Sequence, residues 1–242
     1  MDNGIKAVWY DLDKGAKEGY LSWLHRSFLP ELQSRPGYLW VAHYEIVSGT
    51  PHGKARNKNI LDKSDAPSVG RGTEYLLLIG AASADIFFSL EENVFNKNQG
   101  DETREMLSQR QGSRVSVFIE ETRVNGPELR ARVPGTTPGP AIQMGSFVTV
   151  LPEDDFELGA WYRQSRLPAV TRTPGCIGAR KLVSVAGWAK HSILYEFTSF
   201  GSFEARPGTG DEENDWTGRH VLSYVTHAPG SPSVGKRIWP KG

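Results

Sequence analysis

The chain has 242 residues, with 28 Lys and Arg against 28 Asp and Glu, and therefore no formal net charge. One cysteine cannot make an intrachain disulfide or a cysteine-based zinc site, the charge balance offers no basic face for nucleic acid, and no apolar run approaches the roughly 20 residues that span a bilayer. The opening stretch MDNGIKAVWYDLDKG carries an acid at position 2 and no apolar run of leader length, so a cytoplasmic protein without a secretion signal is expected.

Taken in chain order, residues 7–12 (AVWYDL) form a short strand-like run. In 15–33 the apolar residues Tyr20, Trp23, Leu24, Phe28 and Leu32 recur at three- and four-residue spacing and predict a helix. Ser27, one turn from Trp23, reads as a small residue that lets this helix pack closely on a sheet, not as a nucleophile. Pro36 and Gly37 end the helix, and a second strand runs over 38–47. Residues 48–73 form a long polar loop, and such loops are usually functional or mobile. A strand over 74–81, a helix over 100–111 and a strand over 114–124 complete the first half. A linker follows, with four Pro and three Gly in 125–144.

The second half repeats the order. Strand 145–150 is followed by Asp154 and Asp155, which open a helix. Strands follow over 176–185, 191–198 and 220–227. Pro207, Gly208 and Gly210 leave room only for a short helix near 211–218. In the tail 228–242, Ile238 and Trp239 are expected to dock on the body. Laid over one another without a gap, 23–37 and 161–175 align Trp23 with Trp161, Ser27 with Ser165, Leu29 with Leu167, Pro30 with Pro168, Pro36 with Pro174 and Gly37 with Gly175. The same offset of 138 sets strand 7–12 over 145–150 and 38–47 over 176–185. The reading is an α+β protein of two tandem ferredoxin-like β-α-β-β-α-β units. They span 1–127 and 144–242, joined by a linker over 128–143. Each sheet has helices on one face only, and two such sheets facing each other cover the other face.

WYRQSRLPAVTRTPGCIGARKLVSV (161–185) followed by HSILYEFTS (191–199) resembles the EthD-like branch of the dimeric α/β-barrel superfamily. The resemblance is weaker over 7–47. It implies that the two units form an intramolecular dimeric α/β-barrel, with a cavity holding a small, often aromatic compound and cofactor-independent chemistry: isomerisation, cyclisation, cleavage or oxygenation. The histidine common in that branch falls here on Arg166 and Phe28. Some relatives in the superfamily hold haem through a histidine.

No GxGxxG, P-loop, HExxH or GxSxG pattern is present. No cofactor and no metal site is therefore expected. The candidate acid–base groups are His43, Tyr10, Glu45 and Glu120, with Arg180 holding an anionic or phenolate oxygen. Trp9, Trp40, Tyr44, Tyr195 and His25 are the candidate ligand contacts, since a cavity walled by Trp and Tyr suits a flat apolar or phenolic molecule. These residues point to a lyase or isomerase. A monooxygenase of the same superfamily and a non-catalytic binding protein are the alternatives. A small aromatic or apolar ligand, no nucleic acid or membrane, and a monomer or homodimer are expected.

Overall fold

A computed structural model describes residues 2–47, 62–129, 133, 135–205 and 223–241. Ten strands lie in one sheet: β1 (Gly4–Asp11), β2 (Tyr38–Ile46), β3 (Asp62–Lys63), β4 (Tyr75–Ala81), β5 (Gln111–Asn125), β6 (Ala141–Thr149), β7 (Cys176–Ala186), β8 (His191–Phe197), β9 (Val225–His227) and β10 (Ser233–Trp239). The order β10-β2-β4-β1-β5-β7-β8-β6 closes on itself, because β10 also pairs with β6. The result is an eight-stranded barrel whose pairings are all antiparallel. β9 and the two-residue β3 extend beyond β6. The helices are short: α1 (Lys17–Trp23), α2 (Leu29–Gln33), α3 (Leu90–Lys97), α4 (Asp101–Ser108), α5 (Asp154–Trp161), α6 (Leu167–Val170) and α7 (Phe200–Ala205).

Strand alternation divides the residues between two faces. Ile5, Ala7, Trp9, Trp40, Ala42, Tyr44, Leu76, Leu78, Phe118, Ile142, Met144, Leu182 and Leu194 make one buried cluster inside the barrel. The opposite face carries two further cores, one under α1–α2 and one under α5–α6. The cavity expected inside the barrel is therefore corrected. Trp9, Trp40 and Tyr44 are buried against one another's neighbours and fill that space. A Cβ built on Gly80 would lie 2.0 Å from the Trp40 ring, so the indole occupies the room that only a glycine leaves.

The helix over 15–33 is broken into α1, a π turn (Leu24–Phe28) and α2. The π turn ends with the Leu29 amide donating to the Leu24 carbonyl. Pro30 follows, and its ring would clash with a carbonyl four residues back in a regular α-helix. The wider turn removes that clash. The same arrangement recurs at α5, a π turn (Tyr162–Arg166) and α6, where Leu167 donates to Tyr162 and Pro168 follows. Gly37 and Gly175 both hold a positive φ (84° and 76°) after these helices, as expected of residues that turn the chain into the next strand.

Four sequence expectations need correction. Trp9 faces the barrel interior and Phe147 the helices, so the gapless offset slips by one residue at β1 and β6. Ser27 is exposed and does not pack on the sheet. The helix expected over 100–111 stops at Ser108, because β5 begins at Gln111. The tail is a strand: β10 closes the barrel, while Ile238 and Trp239 do pack on the core beneath α1–α2. Residues 48–61, and the helix expected near 211–218, lie outside the described residues. Gly80→Ala should lower stability by about 1–3 kcal/mol through overpacking. A thermal melt of the variant beside wild type measures it.

Candidate functional site

β1 and β2 are separated in the sheet only by β4, so Tyr10 and His43 emerge close together on the face that α1–α2 covers. Tyr10 Oη lies 2.7 Å from His43 Nε2, and His43 Nδ1 lies 2.8 Å from His25 Nε2. Three side chains from two strands and the π turn thus form one hydrogen-bonded row. Tyr10 and His43 are fully buried, whereas His25 is half-buried. Tyr75 stacks on both Tyr10 and His43. The Arg110 guanidinium sits 4.6 Å from the Tyr10 ring centre and donates to Tyr20 Oη at 2.6 Å.

The electrostatics keep this row neutral at pH 7. Burial, with His25 and Arg110 close by, holds the His43 pKa well below the ordinary histidine value. Burial and Lys241 lower His25. Burial and the neighbouring Tyr20 push the Tyr10 phenol well up, against the pull of Arg110. The row can run in either direction; where the phenol donates to His43 Nε2, the His43 proton sits on Nδ1 and is donated to His25 Nε2. His25 then carries its own proton on Nδ1, the ring nitrogen that does not meet His43. A neutral imidazole N–H in that position can polarise a carbonyl or phenolic oxygen, and the row behind it fixes the tautomer.

The second half places different chemistry beneath its helices. Lys181 pairs with Glu121 and lies 5.7 Å from the Tyr162 ring centre. Arg166 Nε donates to Tyr195 Oη at 2.8 Å. His191 shares a 2.6 Å hydrogen bond with Asp155, whose carboxylate also accepts from Thr149 and Lys190. Burial and two nearby lysines lower the His191 pKa despite that carboxylate, so the contact is a hydrogen bond with little ionic character.

The remaining sequence candidates separate from this row. Trp9, Trp40 and Tyr44 lie inside the barrel, and Tyr195 lies under the other helices. Glu45 is exposed. Glu120 is held by Arg123 at 2.6 Å. Arg180 is not available as a free anion holder at its paired edge: it is fully buried, 2.6 Å from Asp2 and 3.1 Å from Glu196. Asp2 also accepts from Trp40 Nε1 at 2.8 Å and pairs with Arg123 at 2.9 Å. Burial alone would raise the Asp2 pKa, but Arg180 and Arg123 hold its carboxyl far below the usual range. A crevice too tight to hold a water molecule lies beside this network, lined by Arg123, Asn125, Ile177, Arg180 and Glu196 among others. Tyr75 was legible only as one strand aromatic among many, and Arg110 and Tyr20 carried no signal for this site. Among the described residues, no three His, Cys, Asp or Glu side chains gather to hold a metal ion, and no helix is long and apolar enough to cross a membrane.

No family model matches the chain, and no curated protein matches it by sequence. Solved structures do. An anthrone oxidase-like protein aligns over 98% of this chain and 92% of its own, at TM-score 0.53 and 13% identity. A protein provisionally assigned as a chlorite dismutase covers 98% and 96%, at 0.53 and 12%. A provisionally assigned monooxygenase from Fusobacterium nucleatum subsp. nucleatum covers 84% and 79%, at 0.50 and 10%. The fold is that of the dimeric α/β-barrel proteins.

Two outcomes follow from these networks. His43 and His25 resist protonation in the folded state, whereas an unfolded chain takes up those protons near pH 6.5. Their contribution is complete above that pH and is lost as pH falls below it, so the urea midpoint should drop between about pH 7 and 5. His43→Leu should flatten that slope. Arg180→Leu leaves the Glu196 and Asp2 carboxylates buried without it and should cost about 3–5 kcal/mol in denaturant melts.

Proposed function

We propose that the protein is an enzyme that moves a proton on a small aromatic or phenolic compound, with the Tyr10–His43–His25 row as its acid–base apparatus. The observation that carries this reading is the continuous row itself. It runs from a fully buried phenol to a half-buried imidazole with hydrogen bonds of 2.7 and 2.8 Å. Three neutral titratable groups in line, walled by Tyr75 and capped by Arg110, are costly to assemble merely as core. His25 Nδ1 hydrogen-bonds the substrate oxygen, His43 fixes the His25 tautomer, and Tyr10 fixes that of His43. The reaction class is lyase or isomerase, without a bound cofactor, in the cytoplasm.

The reading includes an internal duplication, with 1–127 and 144–242 as two ferredoxin-like units of the EthD-like branch. The matched π turns before Pro30 and Pro168 and the paired glycines at 37 and 175 support it. So does the strand order, β2-β4-β1-β5 beside β7-β8-β6-β9. On this view the first unit kept the acid–base row, and the second replaced it with the Lys181–Glu121 pair.

Proton transfer can be read directly, as exchange of acidic C–H hydrogens for deuterium in a panel of phenols and aryl ketones followed by NMR in heavy water. Wild type should catalyse exchange in at least one member. His25→Gln should slow it by about 10²–10⁴-fold, and Tyr10→Phe less. Exchange unchanged in His25→Gln would remove the row from the chemistry. Oxygen uptake that depends on the same residues would favour the monooxygenase alternative. Tight binding of a panel member without any turnover would favour a binding protein.

A further inference from the structure

At the barrel end opposite the Asp2–Arg180–Glu196 network lies a second buried arginine with a different environment. Arg114, on β5 opposite Trp9 of β1, is 4% exposed. Its guanidinium carbon sits 4.2 Å from the Trp9 ring centre. Among the described residues its one hydrogen bond runs from Nη1 to the Pro229 carbonyl, long at 3.4 Å, and no carboxylate pairs with it. Nε and Nη2 are both buried and both lack a partner.

The identity of those two atoms matters. Nε–H and Nη2–H point in parallel from one edge of the guanidinium, the edge that grips two oxygens of a carboxylate or phosphate. The surroundings are polar. Trp9 Nε1 donates to Ser233 Oγ at 3.1 Å, and the Ser146 amide donates to Ser231 Oγ at 2.8 Å. The Ser146 hydroxyl is itself buried without a partner. An unpaired buried cation is among the most costly groups a core can hold. Burial alone already presses the Arg114 pKa down to about 10, which leaves it charged at pH 7.

We infer that the Arg114 end of the barrel binds a small oxyanion, gripped by two parallel N–H groups of Arg114, with the Ser146 hydroxyl as a further donor. The ligand class is a carboxylate or a phosphate-type anion. The site is separate from the Tyr10–His43–His25 row: Trp9 and Tyr10 are adjacent on β1 but face opposite sides of the sheet.

The test is a thermal melt and a calorimetric titration of the full chain with acetate, benzoate, inorganic phosphate and sulfate, each against chloride at matched ionic strength. Wild type should show a saturable rise in Tm and measurable heat with at least one anion. A response to acetate and benzoate alone assigns a carboxylate, and one to phosphate and sulfate alone a phosphate-type ligand. Arg114→Met, which replaces an unpaired cation with an apolar chain and should fold, ought to lose the response. Arg114→Lys keeps the charge without the parallel edge and should weaken binding at least about tenfold. No saturable response from wild type, or equal responses from wild type and Arg114→Met, overturns the site. Either result leaves the acid–base row untouched.

Discussion

The molecule depends on the closure of its sheet. β10 donates and accepts on both of its edges, to β2 and to β6, and so leaves no barrel strand unpaired. A closed ring of eight strands has an interior just wide enough for side chains to fill. Trp9, Trp40, Tyr44 and Phe118 take that space. The chemistry is displaced as a result. With the middle of the barrel packed, groups that need water or a ligand must sit at a barrel end or on the outer face, beneath the short helices. Tyr10, His43 and His25 are found there.

Charge inside the barrel is handled in two ways. At one end Arg180 is matched by Asp2 and Glu196, with Trp40, Arg123 and the Gly139 amide completing the network. Two of the three Arg180 guanidinium nitrogens, Nε and Nη1, are held by carboxylates, and Nη2 is buried without a hydrogen bond among the described residues. At the other end Arg114 has a tryptophan face and one long hydrogen bond. The first arrangement belongs to structure. The second is chemically unfinished, and its geometry asks for an oxyanion.

Much of the fold was legible in the sequence because strands and punctuation leave local signals. Runs such as EYLLLIGA, and the Pro–Gly pairs at 36–37 and 174–175, marked elements correctly. The faces were less legible. A one-residue slip between β1 and β6 reverses which side chains point inward, and nothing in AVWYDL or GSFVTV shows it. His43, Tyr10 and His25 could be chosen as chemically able residues. Their alignment could not be read, because it joins residues 33 and 18 positions apart through sheet pairing and a π turn. Arg180 illustrates the limit from the other side. Its sequence context suggests an anion holder, but Glu196 meets it across the β7–β8 pair and Asp2, 178 positions away, meets it only in the folded barrel.

The position of β10 has a consequence for how the chain reaches this state. The strand that seals the ring, residues 233–239, pairs with β2, residues 38–46, about 190 positions earlier. Contacts so distant in sequence must close a very long loop, which slows folding. A chain emerging from the ribosome therefore carries β2 with an open hydrogen-bonding edge until residues 233–239 have been made. During that interval the nascent protein is a sticky half-ring. Its solubility in the cell rests on how quickly residues 233–239 arrive.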